Sequence, residues 1–120
     1  LIYLAAPSTT DERLETIGNA TYGYLYYVSV KGITGSSKLD THEVSQRIAH
    51  MRQHVSVPIC VGFGIRTAED AAAISTTADG SIVGTVLVSQ VEALANQPEE
   101  IPAALQAILQ PMRQAMDAKA

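Results

Sequence analysis

The spacing of apolar residues changes along the chain, and each change marks an element. Residues 1–6 form an apolar run that predicts a strand, and residues 7–10 carry the Pro, Ser and Thr of a turn. Residues 11–20 read as a short helix. Residues 22–29 are rich in Tyr and Val, which suit a pleated surface. A Gly/Ser-rich loop follows at 31–39. Asp40 and Glu43 then have the spacing of a capping box, with Asp in the usual place of Ser or Thr. The helix they open places Val44, Ile48, Met51 and Val55 on one stripe.

The third apolar run, 58–61, ends in Gly62-Phe63-Gly64, and Thr67 with Asp70 opens a helix to about residue 77. The fourth run, 80–83, ends in Gly84-Thr85. A short helix is predicted next, then a long one over 99–118. In the long helix Leu105, Ile108, Leu109, Met112 and Met116 form an apolar face that reads as core stripe, and Pro111 is expected to kink or break it.

Four strand-then-helix units in a row predict an α/β fold with a parallel sheet and helices outside it. Residues 1–120 read as a single domain without linker or low-complexity segment. The third and fourth runs are short and continuously apolar, as expected of strands covered on both faces. Four strands do not close a barrel, since a full (β/α)8 barrel takes about 250 residues. Leu1 enters directly into an apolar segment with no Met before it, so the chain is expected to begin partway through a larger fold.

Composition narrows the function classes. Hydrophobic residues are 47% and charged residues 17%, the balance of a globular domain rather than a disordered one. No apolar run is long enough to predict a membrane span. The net charge of −4, without a basic stripe, argues against nucleic acid as a partner. The single cysteine, Cys60, lies in an apolar run and reads as a buried small hydrophobe; a cytoplasmic setting fits.

Chemistry in parallel β/α folds gathers at the C-terminal ends of the strands. Three of the four ends here carry glycine: Gly32 to Gly35, Gly62 to Gly64, and Gly84. Glycine allows close backbone approach, and the last two ends precede helix starts, where free N–H groups and the helix dipole favour an anion. Together they predict a backbone-lined phosphate site.

A general acid or base is harder to find. The twelve carboxylates fall outside the strand ends, mostly at helix starts where they complement the dipole. His42, His50 and His54 are assigned to the second helix. His50 and His54 have a metal-ligand spacing, but no third ligand is evident in the sequence, so an exposed helix face is expected and no metal site is assigned. Tyr26 in the second strand and Thr34 in the loop remain.

The run 24–29, followed by Gly32-Ile33-Thr34-Gly35, resembles strand six and loop six of the tryptophan synthase alpha subunit family. Residues 58–65 resemble its strand seven, and residues 79–85 its strand eight and phosphate loop. The resemblance extends over essentially the whole chain. It implies the C-terminal half, about strands five to eight, of a TIM (β/α)8 barrel.

The activity implied is the aldol cleavage of indole-3-glycerol phosphate to indole and glyceraldehyde 3-phosphate in tryptophan biosynthesis, with the indole passed through a tunnel to the beta subunit. The resemblance further implies an α2β2 assembly and no cofactor in this subunit, pyridoxal phosphate belonging to the beta subunit. Carried over, Gly64, Gly84 and Thr85 hold the phosphate with Gly35 nearby. Leu4, Phe63, Ile82 and Tyr26 line the indole pocket; Tyr26 also supports the proton-handling residues. Thr34 closes over the substrate on a lid loop.

The two catalytic carboxylates of the family lie at and after strand two, so this chain alone is expected to be inactive. Val30-Lys31 stands where many relatives have Arg-Ser or Arg-Ala, and Thr85 replaces the usual Ser, keeping the hydroxyl. Two other functions compete: a non-catalytic phosphate-binding half-barrel module, and another phosphate-binding barrel enzyme such as indole-glycerol-phosphate synthase. The Tyr-rich strand and the Gly-Ile-Thr-Gly loop fit the alpha subunit family better.

Overall fold

The structure, a computed structural model, describes residues 1–29, 41–62 and 64–119. The elements run β1 (Leu4–Ala5), α1 (Asp11–Ala20), β2 (Leu25–Val28), α2 (Thr41–Met51), β3 (Ile59–Gly62), α3 (Ala68–Ser75), β4 (Gly80–Ile82), α4 (Thr85–Ala93), a 3-10 turn (Pro98–Glu100) and α5 (Ile101–Lys119). The four strands form one parallel sheet in the order β1-β2-β3-β4. Each strand-to-strand step crosses over through a segment that contains a helix, the arrangement the alternating pattern predicts.

Local chemistry sets the helix starts. The Thr10 side chain caps α1 by accepting the N–H of Arg13 at 3.3 Å. Thr67 and Asp70 make a reciprocal capping box at α3: the Thr67 hydroxyl accepts the Asp70 N–H at 3.1 Å, and Asp70 accepts the Thr67 N–H at 3.2 Å. These side chains satisfy N–H groups that a helix leaves without partners in its first turn. The expected box at Asp40 lies outside the described residues.

Strand alternation gives the sheet two different faces. Ala5, Leu25, Tyr27, Ile59 and Val61 point to the helix side and are all buried. Leu14, Ile48, Met51 and Ile74 meet them from the helices, each fully buried. Complete burial of one such Leu or Ile side chain stabilises the fold by about 1.5–3 kcal/mol. On the other face Leu4, Tyr26, Val28, Cys60 and Ile82 are exposed or half-buried. The expectation that both faces of β3 and β4 would be covered is therefore corrected: among the described residues the helices cover one face only.

Three further expectations change. β1 is shorter than the apolar run 1–6, although Tyr22 N–H reaches Leu1 O at 2.9 Å and Tyr26 N–H reaches Tyr3 O at 3.0 Å. Of the kink or break expected at Pro111, the break does not occur: α5 runs continuously through that residue. A proline costs that helix one hydrogen bond and some steric strain, which packing along α3 offsets. The apolar face of α5 is also only partly core. Met112 is buried, with Ile108 and Met116 packed beside it, whereas Leu105 and Leu109 line an open groove with Pro102 and Arg113.

Candidate functional site

The open face of the sheet carries most of the described site residues. Register pairs Leu4 with Tyr26, Tyr26 with Cys60, and Cys60 with Gly80, so these four share one level on the same side. Two residues further along each strand, Val28, Gly62 and Ile82 form the next level. Leu4, Tyr26 and Ile82, the residues expected to line an apolar pocket, are thus brought to one surface. Phe63, expected there too, lies outside the described residues.

Tyr26 is the largest of these side chains, and its ring lies across Gly62. A Cβ built at Gly62 would collide with the phenol oxygen and with the ring carbons beside it. The absence of a side chain at position 62 is what lets the phenol rest there. Sequence reasoning assigned Gly64 to the phosphate and named Gly62 only as a strand-end glycine, without its place beneath Tyr26. The signal available was a large inward residue on β2 facing a glycine two positions beyond its register partner on β3.

The C-terminal strand ends come next. Ser29, just after β2, donates its hydroxyl and its backbone N–H to Gly62 O, at 2.9 and 3.2 Å. This ties the end of β2 to the end of β3. Gly64 has φ 89°, a left-handed conformation that glycine adopts without strain. Gly84 is the N-cap of α4 and has no side chain to cap it, unlike Thr10 and Thr67 at α1 and α3. A Cβ at Gly84 would meet nothing within 4 Å, so protein packing does not demand glycine there. Thr85 follows, exposed at the first position of α4. Thr34 and Gly35 lie outside the described residues.

Among the described residues no carboxylate belongs to a strand. Asp79, at the N-terminal end of β4, serves the fold: its carboxylate accepts the Ile59 N–H at 2.9 Å and pairs with Arg52 at 3.0 Å. Cys60 is corrected from a buried residue to a half-buried one on the open face. Partial burial pushes its thiol above the ordinary value, and the nearby Asp79 charge adds to the shift.

The histidines also differ from expectation. α2 ends at Met51, so His54 sits in the turn beyond it. His50 and His54 do not face open solvent alone: Asp11, at the start of α1, approaches both, and one ligand-type atom from each of the three residues lies within 4.8 Å of the other two. The third ligand-type residue, which sequence spacing did not reveal, is Asp11, 39 positions from His50.

A four-stranded parallel sheet with helices on one face, an open face on the other, and glycine-bearing C-terminal ends fits a segment of a (β/α)8 barrel. The model of the tryptophan synthase alpha chain family matches residues 1–117. The tryptophan synthase alpha chain of Marinobacter nauticus is 46% identical over 119 residues, 99% of this chain and 44% of that protein. That of Nitrosococcus oceani is 47% identical over 117 residues, covering 98% of this chain and 43% of the relative.

Among solved structures, tryptophan synthase subunit alpha from Legionella pneumophila superposes with a TM-score of 0.79 at 34% identity, over 98% of this chain and 42% of that one. Tryptophan synthase from M. tuberculosis, in an open form with BRD0059 bound, gives 0.74 at 30% identity, over 96% of this chain and 39% of that one. The chain belongs to the tryptophan synthase alpha chain family, and it spans less than half the length of the relatives it matches. Among the described residues no helix is long and apolar enough to cross a membrane.

Proposed function

We propose that this chain supplies the phosphate-gripping and part of the indole-lining surface of a lyase that cleaves indole-3-glycerol phosphate to indole and glyceraldehyde 3-phosphate. Family membership over 117 residues carries the proposal. Its geometry supports it: Tyr26, Leu4 and Ile82 share the open face, and Gly64, Gly84 and Thr85 lie at the adjoining strand ends. The first N–H groups of α4 have no side-chain cap, which leaves them for phosphate oxygens and the favourable end of the helix dipole. The Thr85 hydroxyl adds a further donor.

The reaction needs a carboxyl group to protonate indole C3 and help deprotonate the glycerol hydroxyl, and a second carboxylate to stabilise positive charge at the indole nitrogen. Apart from Asp40, outside the described residues, every acidic residue lies on a helix, in the 3-10 turn or, for Asp79, at the N-terminal end of its strand. The carboxylates are therefore supplied by other parts of the protein, and this chain alone is inactive. The complete enzyme is cytoplasmic, works without a cofactor in this subunit, and assembles with a pyridoxal phosphate-dependent beta subunit as α2β2.

The test has two arms. The complete protein is assayed for glyceraldehyde 3-phosphate released from indole-3-glycerol phosphate, and residues 1–120 are assayed for the same reaction and for glycerol phosphate binding. Turnover by the complete protein only, with phosphate binding by the shorter chain, is expected. No turnover by the complete protein would refute the lyase assignment, and turnover by residues 1–120 would refute the division of labour.

A further inference from the structure

On the helix side of the sheet, away from the open face, α1, the last turn of α2 and the turn after it bring four polar side chains together. His50 Nε2 donates to Asp11 Oδ1 at 2.7 Å, and His54 Nε2 stands 3.7 Å from Asp11 Oδ2. The other nitrogen of His54, Nδ1, lies 3.3 Å from Glu15 Oε1. The two imidazole centroids are 5.2 Å apart, with planes tilted by 55°. We infer that Asp11, His50 and His54 form a binding site for a zinc-class divalent cation, with Glu15 orienting His54 from behind.

Donor type favours this class of ion. Two imidazoles and a carboxylate suit Zn2+ and its late first-row neighbours, whereas Ca2+ and Mg2+ prefer oxygen donors throughout. Distance also fits. Zn–N and Zn–O bonds of about 2.0–2.2 Å put the donors of a tetrahedral site about 3.3 Å apart. One ligand atom from each of Asp11, His50 and His54 lies within 4.8 Å of the other two; the 2.7 and 3.7 Å separations run to the two different oxygens of Asp11, so side-chain rotations would bring one oxygen and both nitrogens to the tetrahedral spacing.

The Glu15 contact points to the same ion independently. A metal-bound imidazole characteristically gives its second nitrogen to a carboxylate, which selects the tautomer and fixes the ring. Glu15 stands at that second nitrogen of His54. The residue is one helical turn from Asp11 on α1, so one helix supplies both the ligand and the orienting group.

The backbone holds the two elements close. Gly18 on α1 sits against Val55 and the His54 carbonyl: a Cβ there would meet Val55 Cγ2 at 3.1 Å and His54 O at 3.4 Å. Charge is suitable as well. Asp11 and Glu15 together balance a dication. Arg47, which also acts on Asp11, is engaged with Thr9 O at 2.6 Å. Three protein ligands leave a fourth position for water, so the ion would act as a cross-link between α1 and the α2–β3 turn.

The experiment uses the complete protein without a polyhistidine tag, titrated with Zn2+ against a competing chromophoric chelator, and separately with Co2+ to read its visible d–d bands. One equivalent per chain is expected, with four-coordinate Co2+ bands and a rise in thermal midpoint on Zn2+ addition. His50→Ala and His54→Ala should abolish stoichiometric binding. Glu15→Gln should weaken it by about tenfold, and His42→Ala should leave it intact. Circular dichroism establishes that each variant is folded; Asp11→Asn serves as a milder third ligand variant. No binding by the wild type, or binding unchanged in folded His50→Ala and His54→Ala, would mean that the cluster is a set of ion pairs only and would overturn the proposal.

Discussion

The phenol of Tyr26 lies over Gly62 on the neighbouring strand, in space that any side chain at position 62 would need. Gly62→Ala should therefore force the ring from its place. Overpacking of this kind costs about 1–3 kcal/mol, measured by urea denaturation. Tyr26→Ala introduced together with Gly62→Ala should recover most of the loss caused by the alanine at 62. A double variant no more stable than the sum of the singles would show that the two residues do not compete for that space.

Tyr26→Phe keeps the ring and removes the hydroxyl. In the complete protein we expect a modest fall in kcat for indole-3-glycerol phosphate cleavage, with the fold unchanged. This follows from the proposed function, in which the phenol supports proton-handling groups rather than replacing them. Wild-type turnover in steady-state assays would remove Tyr26 from the catalytic surroundings.

Gly84→Val separates ligand approach from protein packing. A Cβ at position 84 meets no protein atom, and its φ of −128° is open to any residue. Stability should fall by about 1 kcal/mol, the cost of a branched apolar residue in place of glycine at an N-cap. Glycerol phosphate affinity in the complete protein should fall by about tenfold or more, which corresponds to about 1.4 kcal/mol. Unchanged affinity by calorimetry would move the phosphate away from the start of α4.

Cys60 should react slowly with iodoacetamide at neutral pH. Partial burial first, and then the Asp79 charge, raise the thiol above its ordinary value, and only the thiolate attacks. The alkylation rate of residues 1–120 should climb at higher pH than that of a free thiol. Asp79→Asn should shift the profile toward lower pH. A profile centred at or below the ordinary thiol value would contradict this.

Pro111 sits well inside α5, where it removes one backbone hydrogen bond. Pro111→Ala restores that donor and should stabilise the chain by about 1–3 kcal/mol, less whatever the freer unfolded chain takes back. Thermal denaturation of the complete protein checks this; a lowered midpoint would mean that the proline ring itself packs favourably.

The order of elements was legible in the sequence because it depends on local chemistry. The helix over 11–20 and the Thr67–Asp70 box were readable from capping residues and apolar spacing. So was the family, through glycine-ended strands whose spacing the fold preserves. Expectations on Thr34, Gly35 and Phe63 fall outside the described residues.

Tertiary structure decided what depends on distant residues. Cys60 and Val61 are both apolar neighbours in one short strand, yet helices cover only the side that Val61 faces. Leu105 and Met112 share one helical stripe, yet only Met112 reaches the core. Asp11 meets His50 across 39 residues because α1 and α2 pack on the same face of the sheet. Periodicity shows which residues share a face; only packing shows what that face meets, because burial and proximity depend on where other segments are placed.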